Sequence, residues 1–239
     1  MIKLVYLCFF GMLLVAIPSC EESPTAEVVD NYRDYFFPTD SLVPYIYVFS
    51  DEKNPLDERF LRMYRMQNDT DTSFIVEQFN SSLRITEGFT YKLNDSLTII
   101  DHMVVDRDGL KRRTKLSAHH NFPVYKNMTA RFLTDFPGVI DSTVMIKDSK
   151  KYIFDADFSY VLFDKEVPAI LVKDTMRLFE LNIETKEMVQ NTIVLDHVYA
   201  KGFGLVEWGA EDKSVVYALR KLLSDEWWSE NAQAPQVRF

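Results

Sequence analysis

Along most of the chain, apolar residues come in short bursts with a period of two, and each burst ends in a polar turn. In the segment 82–93, Leu83, Ile85, Phe89, Tyr91 and Leu93 all fall on odd positions, which gives one face of a strand. Similar patterns predict strands over 45–49, 59–66, 74–79, 97–105, 110–116, 143–146, 152–163, 169–172, 176–183, 188–199 and 203–208. Asp106-Arg-Asp-Gly109 between two apolar runs is a hairpin signal. The stretch 119–138 is less regular. It holds the turn signatures Asn121-Phe-Pro123 and Asp135-Phe-Pro-Gly138, so a long connection is expected there. In 214–223, Val215, Val216, Leu219, Leu222 and Leu223 suit a helical face or a closing strand. The meander before it favours the strand.

Sequential strands with short turns imply a mainly β fold, a curved antiparallel meander. A sheet of this length must curl or split, so a half-barrel or open sandwich is expected, with room for one short C-terminal helix. Two strand-turn units echo each other. Ile99-Ile-Asp101-His102 precedes Gly109-Leu110, and Val194-Leu-Asp196-His197 precedes Gly204-Leu205 at the same offset. The echo is either coincidence or the trace of two similar halves.

The first twenty residues follow a different logic. Lys3 precedes an apolar run from Leu4 to Ile17, then Pro18-Ser19-Cys20. The run is shorter than the roughly 20 residues that span a bilayer, so a cleaved secretory signal fits better than a membrane helix. Ile17-Pro18-Ser19-Cys20 resembles the lipobox of bacterial lipoproteins, in which the cysteine thiol takes a diacylglyceryl group through a thioether. The only other cysteine, Cys8, lies in the segment to be removed, which leaves no intramolecular disulfide to the mature chain. The expected layout is a signal peptide over 1–19, a lipidated flexible tether over 20–33, a single antiparallel domain over 34–228 and a frayed tail over 229–239. Lipid on Cys20, palmitate among it, implies an outer-membrane protein facing the periplasm or the cell surface. Glu21-Glu22-Ser23 resembles the acidic stretch of surface-exported lipoproteins of Bacteroidetes.

The net charge of −9 carries no long basic stripe, which argues against nucleic acid as a partner and leaves anchoring to the acyl chains. Aromatic residues at 14% with only 7 glycines favour strands over disorder.

Two further segments carry a family resemblance. Tyr35-Phe-Phe-Pro38 followed by Tyr45-Ile-Tyr47, and Lys201-Gly-Phe-Gly-Leu-Val206, are similar to the opening and closing segments of an uncharacterised β-rich lipoprotein family of Bacteroidetes. Thr39 and Tyr45 depart from that pattern, at positions where the family has leucine and tryptophan. The resemblance implies an antiparallel envelope domain and no catalytic residue.

Catalytic constellations are missing from the pattern. His102, His119, His120 and His197 have no zinc-ligand spacing, and no metal or cofactor is implied. Asp101-His102 and Asp196-His197 are neighbours on strands, so the members of each pair point to opposite faces and make no dyad. No nucleophile elbow is present. Asp155 and Asp157 have the spacing of a same-face acidic pair. Trp227 and Trp228 stand as a candidate binding surface. Asp-Ser-Leu at 40–42 and 95–97, and Asp-Thr-Met at 174–176, resemble O-glycan acceptor tripeptides of Bacteroidetes. The leading functional expectation is a non-catalytic binding or interaction module with a membrane or envelope-protein partner. The alternative is a carrier or sensor of a lipid or other hydrophobic ligand. A glycan-active enzyme is third.

Overall fold

The computed structural model describes residues 31–38, 45–67, 72–106, 108–138, 140 and 142–232. The signal segment, Cys20 and the first of the three acceptor-like tripeptides lie outside the described residues. Thirteen strands form one antiparallel sheet: β1 (Tyr45–Asp51), β2 (Glu58–Gln67), β3 (Thr72–Phe79), β4 (Ile85–Lys92), β5 (Thr98–Val105), β6 (Lys111–Arg113), β7 (Lys115–His119), β8 (Ala130–Pro137), β9 (Thr143–Leu162), β10 (Lys165–Asn182), β11 (Met188–Ala200), β12 (Gly204–Ala210) and β13 (Val216–Leu223). Each strand pairs with its sequence neighbour, except that β6 and β7 are the two ends of the sheet. β13 returns to pair with β1. The sheet is therefore an up-and-down meander curled into a nearly closed barrel.

The seam is short. β6 and β7 are two halves of one extended segment broken at Thr114, the first half paired with β5 and the second with β8. Thr114 N donates to His102 O across the break, and His120 bridges Thr98 beyond it. Closure goes further than the half-barrel expected, because the first and last strands zip together and leave the sheet ends only this seam.

Several expected segments merge or shift. The gaps left at 147–151 and 173–175 are bridged, so that β9 runs for 20 residues and β10 for 18. A two-residue turn at Phe163-Asp164, both with positive φ, joins them. β8 occupies the end of the stretch read as a connection. Pro137 ends it, where its missing N–H costs little. The segment 214–223 is strand from Val216 on. The helix comes after it, as α1 (Asp225–Asn231). Ser224 caps α1 by accepting from Trp227 N, and Asp225 and Glu226 favour the positive end of its dipole. The expected fray over 229–239 is thus too early by three residues.

β1 is buried on both faces, which explains its unbroken apolar run. Tyr47 and Phe49 face the interior core. Ile46 and Val48 lie outside with Phe60, Phe79 and Ile85, under Trp228 of α1.

One end of the barrel is plugged from within. The tether expected to run to residue 33 ends sooner, since Tyr32 is buried and donates its backbone N–H to Val124 O at 2.8 Å. Phe36 and Phe37 pack on Phe122, with ring centroids 4.7 and 5.1 Å away. The two segments that carried the family resemblance meet here. Tyr47 Oη donates to Phe203 O at 2.6 Å, and Gly202 N donates to Asp34 O. Gly204 has φ +85°, and a Cβ there would come within 3.1 Å of Phe36 O. Glycine at this position satisfies both the left-handed backbone and the close approach of the plug.

Candidate functional site

The barrel interior holds a row of polar side chains on β9. Lys147, Ser149 and Lys151 continue the inward phase set by Ile153, while Asp148 and Lys150 face out. On the outer face Asp148 is held by Arg131 and Arg177. Inside, the register sets Lys151 opposite Asp174 of β10. Their charged atoms are 3.7 Å apart, and Ser149 Oγ donates to the other oxygen of Asp174 at 2.6 Å. Lys151 Nζ also donates to Asn121 Oδ1 at 2.7 Å, and Asn121 Nδ2 donates to Tyr91 Oη at 3.0 Å. Asn121 thus ties the irregular segment before β8 to the interior.

A second knot involves β4 and β5. Glu87 Oε1 accepts from Lys147 Nζ at 3.0 Å and from His102 Nε2 at 2.8 Å. His102 Nδ1 is 2.8 Å from Thr114 Oγ1 at the seam, and Thr134 Oγ1 lies 2.7 Å beyond. His102 reaches the interior because of a bulge. Thr90 pairs with Asp101 but Tyr91 with Ile99, so Ile100 is the extra residue. Without it, Ile99 and His102 would sit on opposite faces.

Electrostatics follow burial. For Glu87 the burial cost is outweighed by the Lys147 charge and the His102 bond, which hold its carboxyl at about 2. Burial lowers the pKa of Lys151, with Asp174 opposing. Burial, with the charge of Lys151 added, lowers His197 to about 3, so its imidazole is neutral. Its Nδ1 is buried without a hydrogen-bond partner among the described residues. The hydroxyls of Tyr91 and Tyr199 are pushed up by burial and stay protonated.

These groups surround a cavity of about 490 Å³. It runs from Phe36, Phe37 and Phe122 of the plug to Arg59, Gln78, Asn80 and Thr86 at the other end. There Thr86 is exposed and the other three are half-buried. Phe49, Met63, Phe89, Met176 and Leu195 supply apolar wall. A volume of this size and a mainly apolar lining with a few convergent polar groups suit a small-molecule site.

The residues singled out from sequence are distributed unevenly. Both Asp–His pairs place aspartate outside and histidine inside. Asp101 pairs with Arg113, and Asp196 with Lys173 and Lys213. His197 lines the cavity, and His102 holds its wall through Glu87. His119 is exposed on β7. Trp227 and Trp228 do not form a shared exposed platform. Successive helix positions differ by about 100°, and Trp228 is buried 4.6 Å from the Phe79 ring, which removes it from the candidate surface. Trp227 is half-buried against the same cluster. Asp155 and Asp157 are exposed, and Asp155 Oδ1 accepts from Asp157 N. Asp174 of the third acceptor-like tripeptide is committed to the interior. Glu87, Asn121, Lys147, Ser149, Lys151 and Asp174 were not singled out as site residues. For the three on β9 the one sequence signal is the unbroken polar run Lys147-Asp-Ser-Lys-Lys151 shortly before Ile153.

Among the described residues, no group of three or more His, Cys, Asp or Glu is placed to hold a metal, and no helix is long and apolar enough to cross a membrane. No family model matches the chain, and no curated protein matches it in sequence. One solved structure is similar at a distance, that of a putative lipoprotein from Parabacteroides distasonis. The identity is 10%, over 79% of this chain and 98% of the other, with a TM-score of 0.45. A likeness that slight carries neither fold detail nor function across.

Proposed function

We propose that this is an envelope lipoprotein, anchored through Cys20, whose barrel binds a small amphipathic molecule in its interior. The observation that carries the reading is the cavity, with aromatic and aliphatic walls and two lysines, two carboxylates and a neutral histidine turned into it. Burying charge is costly even when the charges are paired, as here, and a pure docking module has no need of such groups inside. The carrier or sensor reading therefore stands ahead of the interaction module.

Ligand extraction tests it. The exported chain, made lipid-free as Cys20→Ser, should release an amphiphile on organic extraction, and mass spectrometry should find about one per barrel. Emptied, it should bind a neutral fluorescent apolar probe, and Met176→Trp, which narrows the cavity, should weaken that binding. A chain that is empty as purified and excludes every probe would sink the reading. The anchor is tested apart. Metabolic labelling with a clickable fatty acid should mark the wild type and spare Cys20→Ser, because serine forms no thioether. A wild type that never takes label removes the lipoprotein assignment and leaves the cavity reading standing.

A further inference from the structure

We infer that the interior site selects a ligand with an acidic head group, a carboxylate or phosphate, received by Lys147 and Lys151 of β9. The inference rests on the ligand-binding reading above and names the chemistry of the ligand. Charge alone does not decide the matter. Arg59, where the cavity lining is exposed, is already held by Asp57, and the interior proper sets two lysines against two carboxylates.

The hydrogen-bond balance decides it. Each ammonium has three N–H donors. Lys147 spends one on Glu87 Oε1, and Lys151 spends one on Asn121 Oδ1. At 3.7 Å the approach of Lys151 to Asp174 is an ion pair and not a hydrogen bond. The carboxylates offer fewer open atoms, since among the described residues only Glu87 Oε2 and Asp174 Oδ2 accept no hydrogen bond. Glu87 Oε1 takes two bonds, and Asp174 takes one from Ser149 and the charge of Lys151. Asn121 spends its amide on Tyr91 and its carbonyl on Lys151. Four ammonium N–H groups thus stand unspent against two open carboxylate oxygens among the described residues that line the cavity.

An acidic head group supplies the missing acceptors. It would also return to Lys151 the stabilisation that burial has removed, since the ammonium pKa is lowered here. A cationic head would meet two ammonium groups and only two carboxylate oxygens on which no hydrogen bond of the described residues ends, Glu87 Oε2 and Asp174 Oδ2, the second already facing the charge of Lys151. A hydroxyl head could take the same bonds as an acid, without the charge that makes them strong.

The test is a panel of amphiphiles with one twelve-carbon chain and different heads. Dodecanoate, dodecyl phosphate, dodecanol and dodecylamine are titrated against a bound neutral probe, using the emptied Cys20→Ser chain. One acid should bind about ten-fold or more tighter than dodecanol, with dodecylamine weakest. Preference for dodecanoate points to a fatty-acid source and preference for dodecyl phosphate to a phospholipid-like source. Lys147→Met and Lys151→Met should each bring the acid down toward the alcohol. Lys151→Arg should keep most of the preference, and Lys150→Met, on the outer face of the same strand, should change nothing. The wild-type ranking is decisive even where a methionine variant does not fold. Equal binding of acid and alcohol, or tightest binding of the amine, overturns the head-group inference and leaves the cavity reading intact. Failure of every member to displace the probe overturns it as well, and failure of the probe itself to bind falls on the ligand-binding reading beneath it.

Discussion

Asp101-His102 on β5 and Asp196-His197 on β11 are the same dipeptide in similar strand settings, and the barrel completes them differently. Both aspartates face out onto basic partners. Both histidines face in. His102 is spoken for at each ring nitrogen, by Glu87 and by Thr114, and its ring lies stacked 4.6 Å from Phe89. His197 has no hydrogen bond among the described residues, and its Nδ1 is buried. An inward polar side chain is structural where its neighbours satisfy it. Where they do not, it is a place left for something else. The glutamate on β4 makes the difference, since no counterpart reaches His197.

The largest effect should come from removing that glutamate. Glu87→Ala leaves Lys147 and His102 in the interior without their acceptor, and breaking a buried pair in this way costs about 3–5 kcal/mol. His197→Phe breaks no bond and should change stability by about 1 kcal/mol or less. Denaturant midpoints of the two variants compare them directly, and equal costs would end the distinction between the histidines. Acid titration of stability sharpens it. The carboxyl of Glu87 sits at about 2 against an unfolded value of 4.5. Its contribution, about 3 kcal/mol, is present above pH 4.5 and is lost as pH falls toward 2. His197 is depressed from 6.5 to about 3. Below pH 6.5 the unfolded chain binds a proton that the folded chain refuses, so stability starts to fall there. His197→Phe should flatten the curve between pH 6.5 and 4.5, and Glu87→Gln should shrink the loss below 4.5, where His197 still contributes down to about pH 3. A wild-type curve flat from pH 6.5 to 4.5 would put His197 in solvent.

The same two strands mark how far the sequence could be read. Alternation disclosed the meander, because inward apolar and outward polar residues are what a one-sided sheet requires. It also disclosed that Asp101 and His102 part ways. Closure was hidden, since the pairing of β1 with β13 joins residues over 160 apart and leaves no local trace. β8 was hidden by the turn signals on either side of it, Asn121-Phe-Pro123 and Asp135-Phe-Pro-Gly138. The site was hidden for a third reason. Lys147, Ser149 and Lys151 share an unbroken polar run with Asp148 and Lys150, like any solvated strand edge, and nothing local says that their side of β9 is the inside. The bulge at Ile100 compounds this, because one extra residue shifts the phase of everything after it.

The smallest effects should fall on the outer halves of the two dipeptides, and they separate charge from geometry. Asp101 Oδ1 accepts from Arg113 Nε at 2.7 Å and also from His102 N at 3.0 Å, beside the bulge. The ion pair is well exposed, so screening leaves it little weight. The bond to His102 N supports the strand where the bulge disturbs its ladder. Asp101→Asn removes the charge but keeps an acceptor oxygen, and its denaturant midpoint should stay close to that of the wild type. Asp101→Ala removes both and should cost about 1 kcal/mol. Asp196 has no such bond to its own strand. Asp196→Asn and Asp196→Ala should therefore lie close together, set by the loss of Lys173 and Lys213 as partners. If Asp101→Asn proved as damaging as Asp101→Ala, the charge on Arg113 and not the bulge would be what Asp101 serves. The two aspartates would then be equivalent in kind, and the contrast between β5 and β11 would lie entirely inside the barrel.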